Sequence, residues 1–192
     1  MAAAVTTASD PRTRILDAAL TLMSEQGSAG ASMRQLAAAC GLNVATIYHY
    51  FPSKADVLLS VMAERRYGER LSTDAPPLDL AVPPRERLVG LIGWLWQNAL
   101  VEESVLRLLV GEAIRGEAAA SAGLAEVVTA LETTLAGWLG EGFPELEGDP
   151  HAISRVVSGQ VFTLVVERLA LGGITQVVAV DRATELAAVI FP

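Results

Sequence analysis

Apolar side chains recur every three or four residues along most of the chain, which is the period of an amphipathic helix. In the first such run, Ile15, Leu16, Ala19, Leu22 and Met23 follow this spacing. The pattern predicts an all-α fold of about nine helices. The predicted helices cover residues 11–27, 32–40, 43–51, 54–71, 85–100, 102–117, 124–140, 151–171 and 182–190.

Local signals mark where the first helices begin and end. Gly27 is expected to end the first helix, because glycine adopts a positive φ at little steric cost. Ser32 and Gln35 have the spacing of a capping box, in which each side chain satisfies a backbone N–H of the other residue. Gly41 permits a tight turn, and Asn43 can cap the helix that follows. The sequence therefore predicts a helix, a short turn and a second helix before residue 52.

A proline-rich stretch, STDAPPLDLAVPP at residues 72–84, interrupts the helical pattern. Further on, VVSGQVF keeps helical spacing with its neighbours, so we expect it to be helical despite its valines. TQVVAV is consistent with either a strand or a helix. We expect an N-terminal helix-turn-helix domain over residues 1–53 and a larger helical domain over residues 54–192.

Composition is typical of a folded protein with a partner subunit. Of the 192 residues, 52% are hydrophobic, and so large a fraction suggests that some apolar surface is covered by another subunit. Cys40 is the single cysteine, which excludes an intramolecular disulfide, suits a reducing compartment and predicts a small core residue. MAAAVTTASDP lacks the features of a signal peptide, and the apolar runs are too short to span a membrane. We expect a soluble cytoplasmic protein that does not contact a membrane.

Charge is distributed unevenly along the chain, whose net charge is −8. Residues 1–70 hold seven Lys and Arg against six Asp and Glu, whereas residues 71–192 hold seven against sixteen. The acidic second part would repel a polyanion, so any contact with nucleic acid is expected at the N-terminal end.

The segment GLNVATIYHYFPSKADVL, residues 41–58, concentrates hydroxyl groups, a histidine and the only lysine around the predicted turn. A helix, a tight turn and a short second helix can present that second helix to a DNA major groove. Hydroxyl groups can bind phosphates, small side chains can contact a thymine methyl, and Lys54 can pair with a phosphate. Taken singly, Tyr48 and Tyr50 would more often be half-buried core residues, and Lys54 a solvated surface charge. Their joint spacing favours the DNA-binding interpretation.

Residues 12–58 resemble the DNA-binding domain of the TetR family of transcriptional repressors. The matching pieces are TRILDAALTLMSEQG for the first helix, SMRQLAAACGL for the second helix and the turn, and ATIYHYFPSKADVL for the recognition helix and the start of the fourth. The resemblance implies a double-stranded DNA operator as a partner. The residues that would contact it are Ser32, Arg34, Asn43, Val44, Ala45, Thr46, Tyr48, His49, Tyr50 and Lys54.

The chain departs from the family pattern at three positions. Ser28 stands where an aromatic residue is frequent, Val44 where a lysine or polar residue is frequent, and Ala45 where a glycine is frequent. The base preference of relatives therefore cannot be transferred to this chain. Arg12 and Arg14, ahead of the motif, are expected to be exposed and could follow a phosphate backbone.

The resemblance assigns two tasks to the second domain, dimerisation and effector binding. Helices near 151–171 and 182–190 are predicted to form the homodimer interface, although both could instead close the core of one subunit. Glu167 and Arg168 could fix the pairing register or simply face water. A small, largely apolar effector of unknown identity is expected. The residues predicted to bind it are Trp94, Gln97, Arg107, Trp138 and Phe162, with Glu112 and Arg115 as further polar candidates.

An enzyme and a small-molecule-binding protein are the two alternatives to a DNA-binding regulator. The sequence has two histidines and one cysteine, with no metal-binding HExxH or CxxC pair, no nucleophile elbow and no phosphate-binding loop, so we expect no enzyme, metal or cofactor. The alternative is a helical protein that binds small molecules or acyl chains and carries a non-functional DNA-binding head. Binding to its own upstream DNA would distinguish a repressor from that alternative.

Overall fold

The structure is a computed structural model, and it describes residues 10–64 and 75–192. Within these ranges every regular element is an α-helix, as the periodicity predicts. The helices are α1 (Pro11–Gly30), α2 (Met33–Cys40), α3 (Val44–Tyr50), α4 (Lys54–Glu64), α5 (Pro84–Val101), α6 (Glu103–Ile114), α7 (Ala118–Gly142), α8 (Pro150–Leu171) and α9 (Gln176–Ile190). The end of the predicted fourth helix, residues 65–71, and the first linker residues, 72–74, lie outside the described residues.

The first of two compact units contains α1 to α4 together with residues 107–123. Its core is formed by the apolar positions that the helical spacing selects on α1, joined by Leu36, Ile47, Val57 and Leu108 from other helices. The predicted boundary between residues 53 and 54 falls inside this unit. The reason is that Val57 and Leu58 of α4 are buried in the same core as α1 and α2.

The second unit contains the residues from 75 to 106 and from 124 to 192. Helix α5 lies at its centre and packs on α9 along most of its length, with α8 against another side. The core is almost wholly apolar, and its largest fully buried side chains include Trp96 and Phe143. None of the helices in the described ranges combines the length and hydrophobicity that crossing a bilayer requires.

Four helix boundaries differ by three residues or more from the sequence-based expectations, and one of them is the end of α6 at Ile114 instead of residue 117. Gly27 has a positive φ of 73°, as predicted, yet helical structure resumes after this kink and α1 continues to Gly30. Helix α7 begins at Ala118 instead of residue 124, because the run of alanines before Gly123 has the highest helix propensity and outweighs the cost of one glycine. TQVVAV forms the first turns of α9, where the side chain of Thr175 accepts a hydrogen bond from the Val178 N–H.

Candidate nucleic-acid interface

Helix α2 begins with the predicted capping box. The Ser32 hydroxyl oxygen accepts a hydrogen bond from the Gln35 N–H at 3.2 Å. In return, the Gln35 side-chain oxygen Oε1 accepts from the Ser32 N–H at 2.9 Å. These two bonds satisfy donors that the first turn of a helix leaves unpaired, and so they fix where α2 starts.

The turn between α2 and α3 is built from Gly41 and Asn43. Gly41 has φ 64° and ψ 33°, the left-handed conformation that favours glycine, and its N–H returns to the last carbonyls of α2. The Asn43 side-chain oxygen then accepts from the Thr46 N–H at 2.7 Å and from the Thr46 hydroxyl at 2.9 Å. Because its proton is used in this way, the Thr46 hydroxyl can offer lone pairs to a nucleotide.

The inner side of the motif is fully buried. Leu36 and Ala37 of α2 pack against Ile47 of α3, and Phe51 closes the end of α3. Cys40 is buried with them, as predicted, and burial raises the pKa of its thiol while the nearby Arg14 opposes that shift. This core holds α3 with its opposite face towards solvent.

The ten predicted DNA-binding residues lie on one continuous stretch, from the start of α2 to the start of α4. Those exposed to solvent are Ser32, Arg34, Asn43, Ala45, Tyr48 and His49. Those half-buried are Val44, Thr46, Tyr50 and Lys54. Val44 and Tyr50 pack partly against the core, and the Tyr50 ring meets the His49 ring edge to face, with centroids 5.4 Å apart. The arrangement is a helix-turn-helix motif with an exposed second helix.

Comparison with known proteins agrees with this geometry. A family model described as "Bacterial regulatory proteins, tetR family" matches residues 15–61. The HTH-type transcriptional repressor KstR of Mycolicibacterium smegmatis is 32% identical to the chain over 152 residues, which cover 77% of this chain and 71% of that relative.

The chain belongs to the TetR family. It is therefore a helix-turn-helix transcriptional regulator, and the resemblance seen in the motif is confirmed. The fold agrees over nearly the whole length. A TetR-like regulator from Rhodococcus sp. RHA1 superposes with a TM-score of 0.67 at 22% identity, covering 93% of each chain. A regulator from Aquifex aeolicus VF5 gives a TM-score of 0.69 at 18% identity, covering 95% of this chain and all of that one.

Lys54 of this TetR-family chain has backbone partners that its sequence position did not indicate. Its ammonium donates to the carbonyl oxygens of Ala29 at 3.3 Å and of Ala31 at 3.1 Å. These contacts tie the first turn of α4 to the segment between α1 and α2. An ammonium has three N–H donors, so one remains for the phosphate contact that the sequence predicts.

Arg12 and Arg14 are half-buried, so the expectation that they are exposed was wrong. Arg12 pairs with Glu64, and its guanidinium lies 5.3 Å from the centre of the Phe51 ring. Arg14 donates to the carbonyl oxygen of Cys40 at the end of α2, where cations are favourable. Both arginines therefore fasten α1 to neighbouring segments, through partners too distant in sequence to be predicted.

Ser28 and Glu112 form a contact that the sequence did not indicate. Glu112 is 3% exposed, and one carboxylate oxygen accepts from the Ser28 N–H at 2.8 Å while the other accepts from the Ser28 hydroxyl at 2.8 Å. Arg115 donates to the same carboxylate at 2.5 Å. Glu112 and Arg115, considered above for effector binding, are therefore engaged with each other and with α1. We call Ser28, Glu112 and Arg115 the Glu112 cluster.

The structure unites only part of the predicted effector-binding set. Trp94 and Trp138 meet edge to face, with ring centroids 5.5 Å apart, and both are half-buried. Gln97 is exposed and donates to Gln176, Phe162 is exposed on α8, and Arg107 belongs to the first unit. Trp94 and Trp138 are thus the two predicted effector-binding residues that contact each other.

An open groove of about 620 Å³ lies elsewhere in the second unit. It runs between the start of α5 and the end of α9 and is lined mainly by apolar side chains, among them Val89, Ala187 and Phe191. None of the five predicted effector-binding residues lines it. From the sequence, the residues that line this groove are predicted only to lie at or near helix ends, and no binding site is predicted there.

Helices α8 and α9 expose several apolar side chains. They are Val156, Phe162 and Leu171 on α8, and Val177 and Val189 on α9. A Cβ atom built on Gly159 would meet no other atom within 4 Å, so this turn of α8 is open to approach. Glu167 pairs with Arg182 of α9, and Arg168 with Glu103, so both charges have partners within the chain instead of facing water.

Proposed function

We propose that the chain is a homodimeric cytoplasmic repressor that binds a palindromic DNA operator through α3 and is released by a small, largely apolar effector. The observation that carries the proposal is the exposed face of α3, held outward by a buried inner face and by caps at Ser32 and Asn43. Its exposed and half-buried polar groups are of the kinds that contact phosphates and base edges. The repressor function agrees with the name of the M. smegmatis relative.

Within this proposal the residues of the motif have different tasks. Ser32, Arg34, Tyr48 and Lys54 would contact phosphates, because they carry hydroxyl or cationic groups and are exposed or half-buried. The residues that would face the bases are Asn43, Val44, Ala45, Thr46, His49 and Tyr50. Replacing Ala45 or Thr46 should alter preference at particular base pairs, whereas replacing a phosphate contact should weaken binding to every sequence.

The dimer proposal is supported by the exposed apolar face of α8 and α9. A palindromic operator requires two recognition helices roughly 34–36 Å apart, which a two-fold dimer supplies. Large apolar side chains such as Val156 and Phe162 at the surface are the kind of residue that a second copy would cover.

The effector proposal is supported by the apolar character of the second unit and by its half-buried tryptophan pair. Trp94 and Trp138 would form one wall of the site, and Gln97, Arg107 and Phe162 remain proposed contacts. An effector changes operator binding only through its difference in affinity for two conformers of the dimer. We propose that it favours a conformer in which the two α3 helices no longer match successive major grooves.

Selection of bound fragments from a random pool of DNA duplexes tests the proposal. The purified protein should enrich a palindrome whose two halves are about 10 base pairs apart, centre to centre, or a multiple of that distance. Enrichment of a single half-site would contradict the dimer, and no enrichment at physiological salt would contradict the repressor and favour the small-molecule-binding alternative.

A further inference from the structure

We propose that Glu112 is a positioning residue for the DNA-binding helices, a role that rests on the proposed DNA-binding function. Its carboxylate holds residues 27–32, which we call the α1–α2 corner, in the conformation from which α2 and α4 are oriented.

The buried carboxylate of Glu112 needs several hydrogen-bond donors to be stable. Removing a charged carboxylate from water is costly unless hydrogen bonds replace its hydration. Glu112 receives three, from the Ser28 N–H, the Ser28 hydroxyl and the Arg115 guanidinium. Both of its oxygens are therefore occupied, and two of the three bonds go to a single residue of α1.

Ser28 lies where α1 changes direction. The preceding residue, Gly27, has φ 73° and ψ 160°, so the backbone departs from helical conformation at this point. The carboxylate takes up the Ser28 N–H directly after this break. A backbone N–H that emerges from a kink needs such an acceptor, because an unpaired buried donor is costly.

Glycine makes room for the guanidinium of the cluster. A Cβ atom on Gly27 would lie 3.1 Å from the Arg115 guanidinium, and one on Gly111 would also lie 3.1 Å from it. Arg115 thus packs closely against both backbones while it donates to Glu112. The kink at Gly27, the absence of a side chain at Gly27 and Gly111, and the Glu112–Arg115 pair therefore depend on one another.

The α1–α2 corner also fixes the DNA-contacting residues. The carbonyl oxygens of Ala29 and Ala31 accept from Lys54 at the start of α4. The corner ends at Ser32, which caps α2. One six-residue segment, 27–32, is therefore attached to α6 through Glu112, to α4 through Lys54 and to α2 through the capping box. Loss of the Glu112 bonds would loosen the segment that all three share.

The apolar core of the unit does not depend on these bonds. Ile15, Leu36, Ile47 and Val57 are buried in one apolar cluster, and Glu112 is not a member of it. We therefore expect Glu112→Ala to fold, but its helices α2 and α4 should be less rigidly held when the protein binds DNA. Affinity should fall about tenfold, since two hydrogen bonds to a charged acceptor are lost at the corner.

The experiment compares variants on palindromic duplexes selected by the wild-type protein, with spacers of the selected length and one base pair shorter or longer. Glu112→Ala should bind the selected duplex about tenfold more weakly and discriminate less among spacers. Ser28→Ala should bind the selected duplex about threefold more weakly than wild type. Ser28→Thr, which keeps the hydroxyl, should have the affinity and the spacer discrimination of wild type. Glu145→Ala is the matched control, because it removes an arginine-bound carboxylate from the second unit. Wild-type affinity and spacer preference in Glu112→Ala would overturn the proposal.

Hydrogen–deuterium exchange separates this inference from the proposed function. Amides of residues 27–32 and 54–57 should exchange faster in Glu112→Ala and Ser28→Ala than in wild type, and at the wild-type rate in Ser28→Thr. Unchanged exchange in folded Glu112→Ala and in Ser28→Ala would overturn the positioning role even if DNA binds. If wild type selects no duplex, the proposed function fails and exchange alone decides the role of Glu112. If Glu112→Ala does not fold, the Ser28 pair decides it.

Discussion

The side-chain nitrogen of Lys54 lies 3.1 Å from the carbonyl oxygen of Ala31, so the only lysine of the chain bridges the start of α4 and the end of the α1–α2 corner. A cation at this place has two effects. It donates hydrogen bonds to carbonyl groups at the end of α1, and it keeps positive charge beside the proposed DNA-binding face.

Replacing Lys54 by methionine should therefore reduce both stability and DNA affinity. We expect a loss of about 1 kcal/mol in the free energy of unfolding, from the two hydrogen bonds to carbonyl oxygens. The slope of log affinity against log salt concentration should flatten by about one unit, because one phosphate contact is lost. Lys54→Arg should keep the slope, and so should Arg155→Ala, which removes an exposed charge from α8. An unchanged slope in Lys54→Met would show that the lysine is only structural.

Tyr48 is 51% exposed on α3, so its hydroxyl can be removed without disturbing the core. Tyr48→Phe should weaken binding to all DNA sequences by about three- to tenfold, the value of one hydrogen bond to a phosphate. Its unfolding free energy should stay within about 0.5 kcal/mol of wild type. Titration of a selected duplex and of a scrambled one, alongside thermal unfolding, measures both quantities. A loss confined to the selected duplex would instead indicate that Tyr48 contacts a base.

The features of this face that the sequence predicted depend on residues close together in the chain. The Ser32 and Gln35 capping box, the left-handed Gly41 and the Asn43 cap each involve partners within four or five positions, so local rules suffice. The partners of Lys54 and Glu112 lie 23 and 84 residues away. Which carbonyl or hydroxyl a long charged side chain reaches is decided by how the helices pack, and helical periodicity carries no such information.

The apolar pattern had the same limit in the second unit. It correctly marked Leu95 and Trp96 as lying in a helix, but it did not indicate which tryptophans would meet. Trp94 and Trp138 are neighbours because α5 and α7 belong to one core, and their sequence separation gave no sign of it. For the same reason, the sequence could not indicate that only Trp94 and Trp138 of the five proposed effector contacts would pack against each other.

Arg87 should be the most sensitive polar residue of the second unit. Its buried guanidinium donates to the carbonyl oxygens of Val82 at 2.8 Å and Gly142 at 2.5 Å, and it pairs with Glu145 at 3.1 Å. Arg87→Met leaves these acceptors without their donor, and we expect a loss of about 3 kcal/mol in unfolding free energy. Arg85→Met on the same helix removes one hydrogen bond, to the Phe191 carbonyl oxygen, and should cost about 1 kcal/mol. Denaturant unfolding of both variants checks the difference, and equal losses would contradict it.

Acid should destabilise the chain partly through Glu112. Burial alone would raise the pKa of Glu112, but hydrogen bonds from Arg115 and Ser28 outweigh it and hold the pKa below its ordinary value of 4.5. A carboxyl whose pKa is lowered on folding stabilises the protein above the unfolded pKa, and this contribution is lost as the pH falls through the folded value. Between about pH 5 and pH 3, the unfolding free energy should therefore fall more steeply in wild type than in Glu112→Gln. Parallel curves would show that Glu112 does not titrate differently on folding.

The exposed apolar face of α8 should determine the oligomeric state. Val156 is 54% exposed and Phe162 38% exposed in the single chain, so charged replacements there should not affect the core. Val156→Glu combined with Phe162→Glu should convert the proposed dimer to a monomer, because two carboxylates would be buried on each side of the interface. Val101→Glu, at a 78% exposed position on α5, is the matched control and should leave the mass unchanged. Light scattering during size-exclusion chromatography gives the mass, and a dimeric double variant would place the interface elsewhere.

All three tryptophans, Trp94, Trp96 and Trp138, belong to the second unit, whereas Tyr48 and Tyr50 stand on α3 in the first. Indole emission excited near the red edge of the absorption band therefore reports on the second unit alone, with no added label. A fluorine or nitrile tag on a tyrosine of α3 would report on the other. The native tryptophans thus report on the second unit, and one tagged tyrosine would allow the first unit to be followed separately in the same sample.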